Sequence, residues 1–184
     1  LYSFMNQNTC IVITSINAPN RAMQMFAKGV TERNANLIII GDTKSPDNFK
    51  LDGADYYSVP QQIEALEALA SSCPTKHYAR KNVGYLLAIR NGAKIIIDTD
   101  DDNFPYESFW EKRQLRHEAR AYDKEGWLNA YKLYSDANIW PRGLPLDEIA
   151  KDTPSLDSLE METLDCPIQQ GLANENPDVD ALYR

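Results

Sequence analysis

Four aspartates lie within five residues at the end of one apolar run: residues 95–103 read IIIDTDDDN and contain Asp98, Asp100, Asp101 and Asp102. Clustered carboxylates repel one another, so the run costs stability unless a cation sits among them. Mn²⁺ or Mg²⁺ suits that need, because hard divalent ions take carboxylate, water and phosphate oxygens. Such an ion screens a diphosphate and stabilises it as it leaves. On a strand, Asp98 and Asp100 point one way and Asp101 the other. A turn beginning at Asp100 then brings Asp100 and Asp102 to one place. Asp102 is the expected direct ligand and Asp101 a second or water-bridged one. Asp100 is a further ligand or a contact to ribose or sugar, with Asp98 supporting from behind. The plainer reading is a solvated acidic turn that caps the next helix through Asp101 or Asp102.

Other chemistries lack their residues. The acidic run has no Gly at the sixth position and no Glu at the twelfth, so it is not an EF-hand loop. The chain has no Walker A loop and no G-x-G-x-x-G, which argues against a P-loop kinase or a dinucleotide-dependent dehydrogenase. A net charge of -8 disfavours nucleic acid as a partner, since phosphates call for a basic surface. Three cysteines, Cys10, Cys73 and Cys166, form no C-x-x-C. They read as buried free thiols, or as one disulfide and a free thiol, and not as a zinc or redox pair. No stretch is long enough to span a bilayer and no signal peptide is visible, so no membrane contact is expected of this segment itself. The opening Leu1 and the closing VDALYR suggest a piece excised from a longer protein.

The acidic run needs a scaffold, and the preceding sequence supplies one. With 184 residues, 43% of them hydrophobic, the chain suits a single domain with a sizeable core. Residues 10–16 (CIVITSI), 36–41 (NLIIIG) and 94–98 (KIIID) read as buried strands, and 54–59 as a short one. Helices are expected over 20–30, closed by Gly29, over 60–72, begun by Pro60, and over 78–92, carrying Tyr78, Val83, Tyr85, Leu86 and Ile89 and ending at Asn91-Gly92. The alternation indicates an α/β fold with a mostly parallel sheet flanked by helices. Ligands of such folds bind outside the carboxyl ends of the strands, where the four aspartates fall. After residue 103 the pattern changes: residues 105–125 are charged and helix-permissive, 126–146 rich in aromatics, Pro and Gly, and 147–165 acidic. The expected layout is a nucleotide-binding half, 1–103, and a donor-sugar and acceptor half, 104–184.

Several segments together resemble one family. YARKNVGYLLAIRNGAKIIIDTDDDN (78–103), CIVITSINAPN near the start, IIIGDTKSP (38–46), NIWPRGLPLD (138–147) and IQQGLANENPDVDALYR (168–184) are similar, in the same order, to the STELLO glycosyltransferases. The resemblance is thin over 104–130 and 148–165. It implies a GT-A (Rossmann-like) fold, a UDP-sugar donor, a glycan or other hydroxyl acceptor and a D-x-D metal site. Plant members are Golgi membrane proteins linked to cellulose synthase, with the transferase domain in the lumen, so the resemblance implies a Golgi lumenal location and an anchor outside this chain.

Within that frame Thr14 and Ser15 lie where GT-A folds receive the nucleoside. Asp42 is placed for uracil or ribose, or else is a turn residue paired with Thr43 or Lys44. Arg80 and Lys81, at the start of a helix, suit phosphate, or are solvated surface charges. Gly84 costs a helix about 1 kcal/mol against alanine, so a packing or ligand reason is expected for it. Trp140 and Arg142, in WPRG, wall a sugar pocket or form a surface turn, and Gln169 and Gln170 line donor or acceptor. Tyr131 and Tyr134 read as core, and His77 and His117 have no metal-like spacing. Asp178 and Asp180 are candidates for the acceptor base, with Asp147 and Glu148 behind them. The alternative function is a non-catalytic module of the same fold that assists assembly of another enzyme. A nucleotidyltransferase is disfavoured because no Gly-rich basic loop follows the first strand.

Overall fold

Strand β1, Thr9–Thr14, carries TCIVIT, a β-branched run buried along nearly its whole length. A strand apolar on both faces belongs in the middle of a covered sheet. The computed structural model, which describes residues 5–137 and 139–171, puts it there. β1 pairs in parallel with β2 (Asn36–Ile40) on one side and with β4 (Ile95–Asp98) on the other. β2 pairs in parallel with β3 (Asp55–Tyr57), giving the order β3-β2-β1-β4. Alternate residues of the central strands serve opposite layers. Ile11, Ile13, Leu37 and Ile39 pack with Met23, Phe26 and Val30 of helix α1 (Arg21–Arg33). Cys10, Val12, Ile38 and Ile40 pack with Val83, Leu87 and Ala88 of helix α4 (Lys81–Arg90). This is the expected α/β fold, a parallel sheet flanked by helices, and it has a GT-A-like character.

Helix boundaries depart from the sequence reading where packing overrides local signals. α1 does not close at Gly29 but runs to Arg33 and ends at Asn34, whose φ is 52°. Gly29 is a contact glycine: a Cβ there would lie 2.1 Å from the Trp110 ring. The helix expected over 60–72 is two, α2 (Val59–Ala65) and α3 (Glu67–Ser72), parted at Leu66 with φ -143°. Ser58 and Gln61 form a capping box ahead of α2, with Pro60 in its first turn. The segment 78–92 opens as a 3₁₀ turn, Tyr78–Arg80, before α4. Its buried face is Lys81, Val83, Gly84, Leu87 and Ala88, while Tyr78, Leu86 and Ile89 are exposed. Gly84 has a packing reason, since a Cβ there would meet Val12 at 2.5 Å and Ile40 at 2.9 Å.

The chain divides after Arg113 into two compact units. In the second, the charged stretch that reads as helix-permissive holds a strand, β5 (Arg116–Arg120), antiparallel to β6 (Met161–Asp165). Arg116 pairs with Asp165 across this ribbon at 3.0 Å. Both strands are largely exposed and polar, so no apolar alternation marks them. Between them run 3₁₀ turns at Ala130–Leu133, Leu146–Glu148 and Leu156–Ser158. Tyr131 is half-buried, but Tyr134 is exposed, against its expected place in a core. Among the described residues no helix is long and apolar enough to cross a membrane.

Candidate functional site

β2 and β3 extend the sheet to one side of β1, and β4 lies on the other. The crevice at the carboxyl ends of β1 and β4 is therefore the switch point of the sheet. Ser15, buried just past β1, donates its hydroxyl to Asp101 Oδ2, just past β4. Asn17 Nδ2 donates to the same oxygen at 2.9 Å, and Asn20 Nδ2 to the Asp101 carbonyl at 2.7 Å. Asn20 also caps α1, accepting from Met23 N at 2.9 Å. One loop thus starts a helix and ties down the acidic run. Ser45 Oγ donates to the Ser15 carbonyl at 2.7 Å, which joins the β2 end to the same hub.

Asp98 and Asp100 engage a different partner, Lys81 of α4. Lys81 Nζ, on a side chain only 10% exposed, lies 2.5 Å from Asp98 and 2.9 Å from Asp100, and donates to the Thr99 carbonyl at 3.1 Å. Tyr85 donates to the second oxygen of Asp98 at 2.9 Å. Asp102 is exposed and engages no hydrogen-bond or ion-pair partner among the described residues. Among those residues no three His, Cys, Asp or Glu side chains gather as a metal cage.

Burial lowers the Lys81 pKa, but the hydrogen bonds and charges of Asp98 and Asp100 outweigh it and leave the value above the ordinary 10.5. Tyr85 also rises above its ordinary 10.0, first through burial and then through its bond to Asp98. Both groups hold a proton in the folded state that the unfolded chain releases. Their stabilisation is complete below those ordinary values and drains away as pH climbs through the folded ones. Urea unfolding between about pH 8 and 11 should show stability falling above about pH 10. A flat profile would show that neither group titrates differently on folding. Elsewhere, burial and then the charge of Asp55 push the Cys10 thiol up to about 12, so it is inert at neutral pH. All three cysteines are free.

Beside the hub opens a cavity of about 370 Å³, lined by Thr14, Ser15, Asp42, Lys44, Lys76 and Asp101 among others. Asp42 accepts from the backbone N–H of Thr43 and of Lys76, each at 2.6 Å. It thereby holds Lys76 in the left-handed region at φ 55°, uncommon for a residue with a Cβ. His77, also in the lining, accepts from Ala79 N through Nδ1 at 3.0 Å. Arg80 is 2% exposed and its guanidinium is committed to Gln62, Ala70 and Cys73. The structure therefore brings together Thr14, Ser15, Asp42, Arg80 and Asp101 around the cavity, with Lys81 and Asp100 nearby.

The second unit holds the remaining expected residues. Trp140 donates its indole N–H to the Leu144 carbonyl at 2.6 Å, closing the WPRGL turn. Arg142 and Gln170 are exposed. His117 lies on β5 with a ring nitrogen 2.7 Å from the Gln114 carbonyl. Asp178 and Asp180 lie outside the described residues.

Sequence reasoning missed Asn17, Asn20, Ser45 and Tyr85. Only Asn20 left a signal, as a cap residue directly before an apolar-periodic helix.

No protein-family model matches the chain. Two curated proteins of Arabidopsis thaliana do: probable glycosyltransferase STELLO2, 28% identical over 195 residues, and probable glycosyltransferase STELLO1, 26% identical over the same span. The chain is a relative of the STELLO-type glycosyltransferases. The similarity covers 99% of this chain, including the segments where the sequence resemblance is thin. The chain spans about a quarter of the length of these relatives, 25% in each case.

Proposed function

We propose that this chain is the donor-binding part of a glycosyltransferase that moves a sugar from a nucleotide diphosphate, a UDP-sugar, to a hydroxyl of a glycan or other acceptor. The observation that carries the reading is the Ser15–Asp101 joint at the switch point, beside a cavity of about 370 Å³. That volume is in the range of small-molecule sites. The nucleoside enters along Thr14 and Ser15, and Lys44 and Lys76 bring positive charge to the rim. The relatives' names point to the same reaction class.

The acidic run fits a hard cation, Mn²⁺ or Mg²⁺. Among the described residues Asp102 has both oxygens available, and Asp100 and Asp101 each keep one oxygen clear of their partners. Mg²⁺-like ions are commonly held by one or two carboxylates together with substrate phosphates. When bound, the ion offsets the diphosphate charge and eases its departure. Asp101 is the ligand oriented by Ser15 and Asn17, and Asp178 or Asp180 is the proposed acceptor base.

UDP titrated by calorimetry with and without Mn²⁺ tests the donor site. Binding that needs Mn²⁺ and weakens at least about tenfold in Asp102→Ala is expected. A folded protein that binds UDP under neither condition overturns the donor reading and leaves the assembly-module reading in front.

A further inference from the structure

We propose that Lys81 is a positioning residue that withholds part of the acidic run from metal, so that cation and diphosphate load together and not the cation first. The inference rests on the donor-site reading. Its basis is how the carboxylates are spent. Lys81 Nζ lies 2.5 Å from Asp98 and 2.9 Å from Asp100, on a side chain 10% exposed. Tyr85 takes the second oxygen of Asp98 at 2.9 Å, so both oxygens of that carboxylate are engaged. The Thr99 carbonyl fixes the ammonium from a third side at 3.1 Å. On the opposite face of the strand end, Ser15 and Asn17 share one oxygen of Asp101.

Of four aspartates, Asp102 alone has neither oxygen engaged among the described residues. An ammonium buried between two aspartates does in the empty protein what a metal would do there: it lowers the repulsion that four clustered charges create. It also places a positive charge beside the run, which opposes entry of a second cation. A divalent ion arriving alone finds one fully available carboxylate and a like charge behind it. With the diphosphate it gains phosphate oxygens and the negative charge to offset Lys81. Lys81 therefore sets the order of loading without touching the ligand.

The test is Mn²⁺ binding without nucleotide, followed by calorimetry and by the electron paramagnetic resonance of free Mn²⁺. The proteins are wild type, Lys81→Met and the charge-balanced pair Lys81→Met with Asp98→Asn. Wild type is expected to bind Mn²⁺ weakly alone and more tightly with UDP. Lys81→Met should bind Mn²⁺ alone about tenfold or more tightly than wild type, because Asp98 and Asp100 are released and a like charge is gone. The double variant, which removes one charge of each sign and so guards against misfolding, should also exceed wild type through Asp100. A residue that is only structural could weaken Mn²⁺ binding when lost but not tighten it. Equal or weaker Mn²⁺ affinity in a folded double variant overturns the proposal. Failure of wild type to bind UDP with Mn²⁺ overturns the donor reading instead, and the nucleotide-free comparison still decides the role of Lys81.

Discussion

Gly29→Ala is expected to destabilise the protein by about 2 kcal/mol, although alanine is the better helix former. Replacing glycine inside a helix ordinarily gains up to about 1 kcal/mol. Here the new methyl lands 2.1 Å from Cη2 and 2.2 Å from Cζ2 of Trp110. The indole has little room to retreat. It packs edge-on against Phe26 and Phe109 at centroid distances of 6.2 and 5.1 Å, and the Arg33 guanidinium lies 4.7 Å over its ring. The Trp110 carbonyl is held as well, accepting from Met5 N at 3.1 Å. Overpacking a core of this kind costs roughly 1–3 kcal/mol, and the pinned ring puts this site at the upper end before the helix gain is subtracted. Urea denaturation of a double-mutant cycle isolates the cause. In a Trp110→Phe background the shorter ring no longer reaches the methyl, so Gly29→Ala should become neutral or stabilising. A single variant as stable as wild type would mean that the α1–Trp110 contact is looser than these distances state.

The same glycine shows where sequence reading stops. Gly29 reads as a helix terminator because glycine commonly sits there, and its true partner, Trp110, is 81 residues away in the chain. The central strands were legible because burial on both faces demands an unbroken β-branched run, which Thr9–Thr14 and Asn36–Ile40 supply. The acidic strand end was legible for a related reason: charge at the end of an apolar run is conspicuous, and Asp98 and Asp100 share a partner that Asp101 does not. The partners of those aspartates were not legible. Asn17 reads as a strand breaker, and nothing local joins it to a carboxylate 84 residues on. Which face of α4 turns inward was not legible either: apolar residues are spread around it, so Leu86 and Ile89 compete with Val83 and Leu87 for that face. β5 has no apolar period because so little of it is covered.

Gln62→Leu is expected to be the most damaging single change, at roughly 3–5 kcal/mol, although leucine is of similar size and leaves no large cavity. Gln62 is fully buried and works in both directions. Its Nε2 donates to the carbonyls of Gly41 and Tyr57, each at 2.8 Å. Its Oε1 accepts from Arg80 Nε at 2.9 Å and from Nη2 at 2.6 Å. Arg80 is 2% exposed, and among the described residues no carboxylate stands within ion-pair distance of it. Its charge rests on neutral oxygens: Gln62, the Cys73 carbonyl at 3.0 Å and the Ala70 carbonyl at 3.3 Å. Leucine removes the strongest of these and takes the Gln62 amide from the Gly41 carbonyl just past β2, while the Tyr57 carbonyl at the end of β3 keeps only its bond from Gly41 N at 3.0 Å. Stranding a buried charge costs far more than losing an exposed hydrogen bond. Arg80→Met removes the charge itself, so the double variant should lose much less than the sum of the two singles, and that non-additivity is the signature of the network. Because Gly41 and Arg80 also line the cavity, UDP affinity in the presence of Mn²⁺ should fall in Gln62→Leu even under conditions where the variant remains folded. Stability within about 1 kcal/mol of wild type would contradict the claim that Gln62 carries the Arg80 charge, while lost stability with unchanged UDP affinity would separate this network from the cavity it floors.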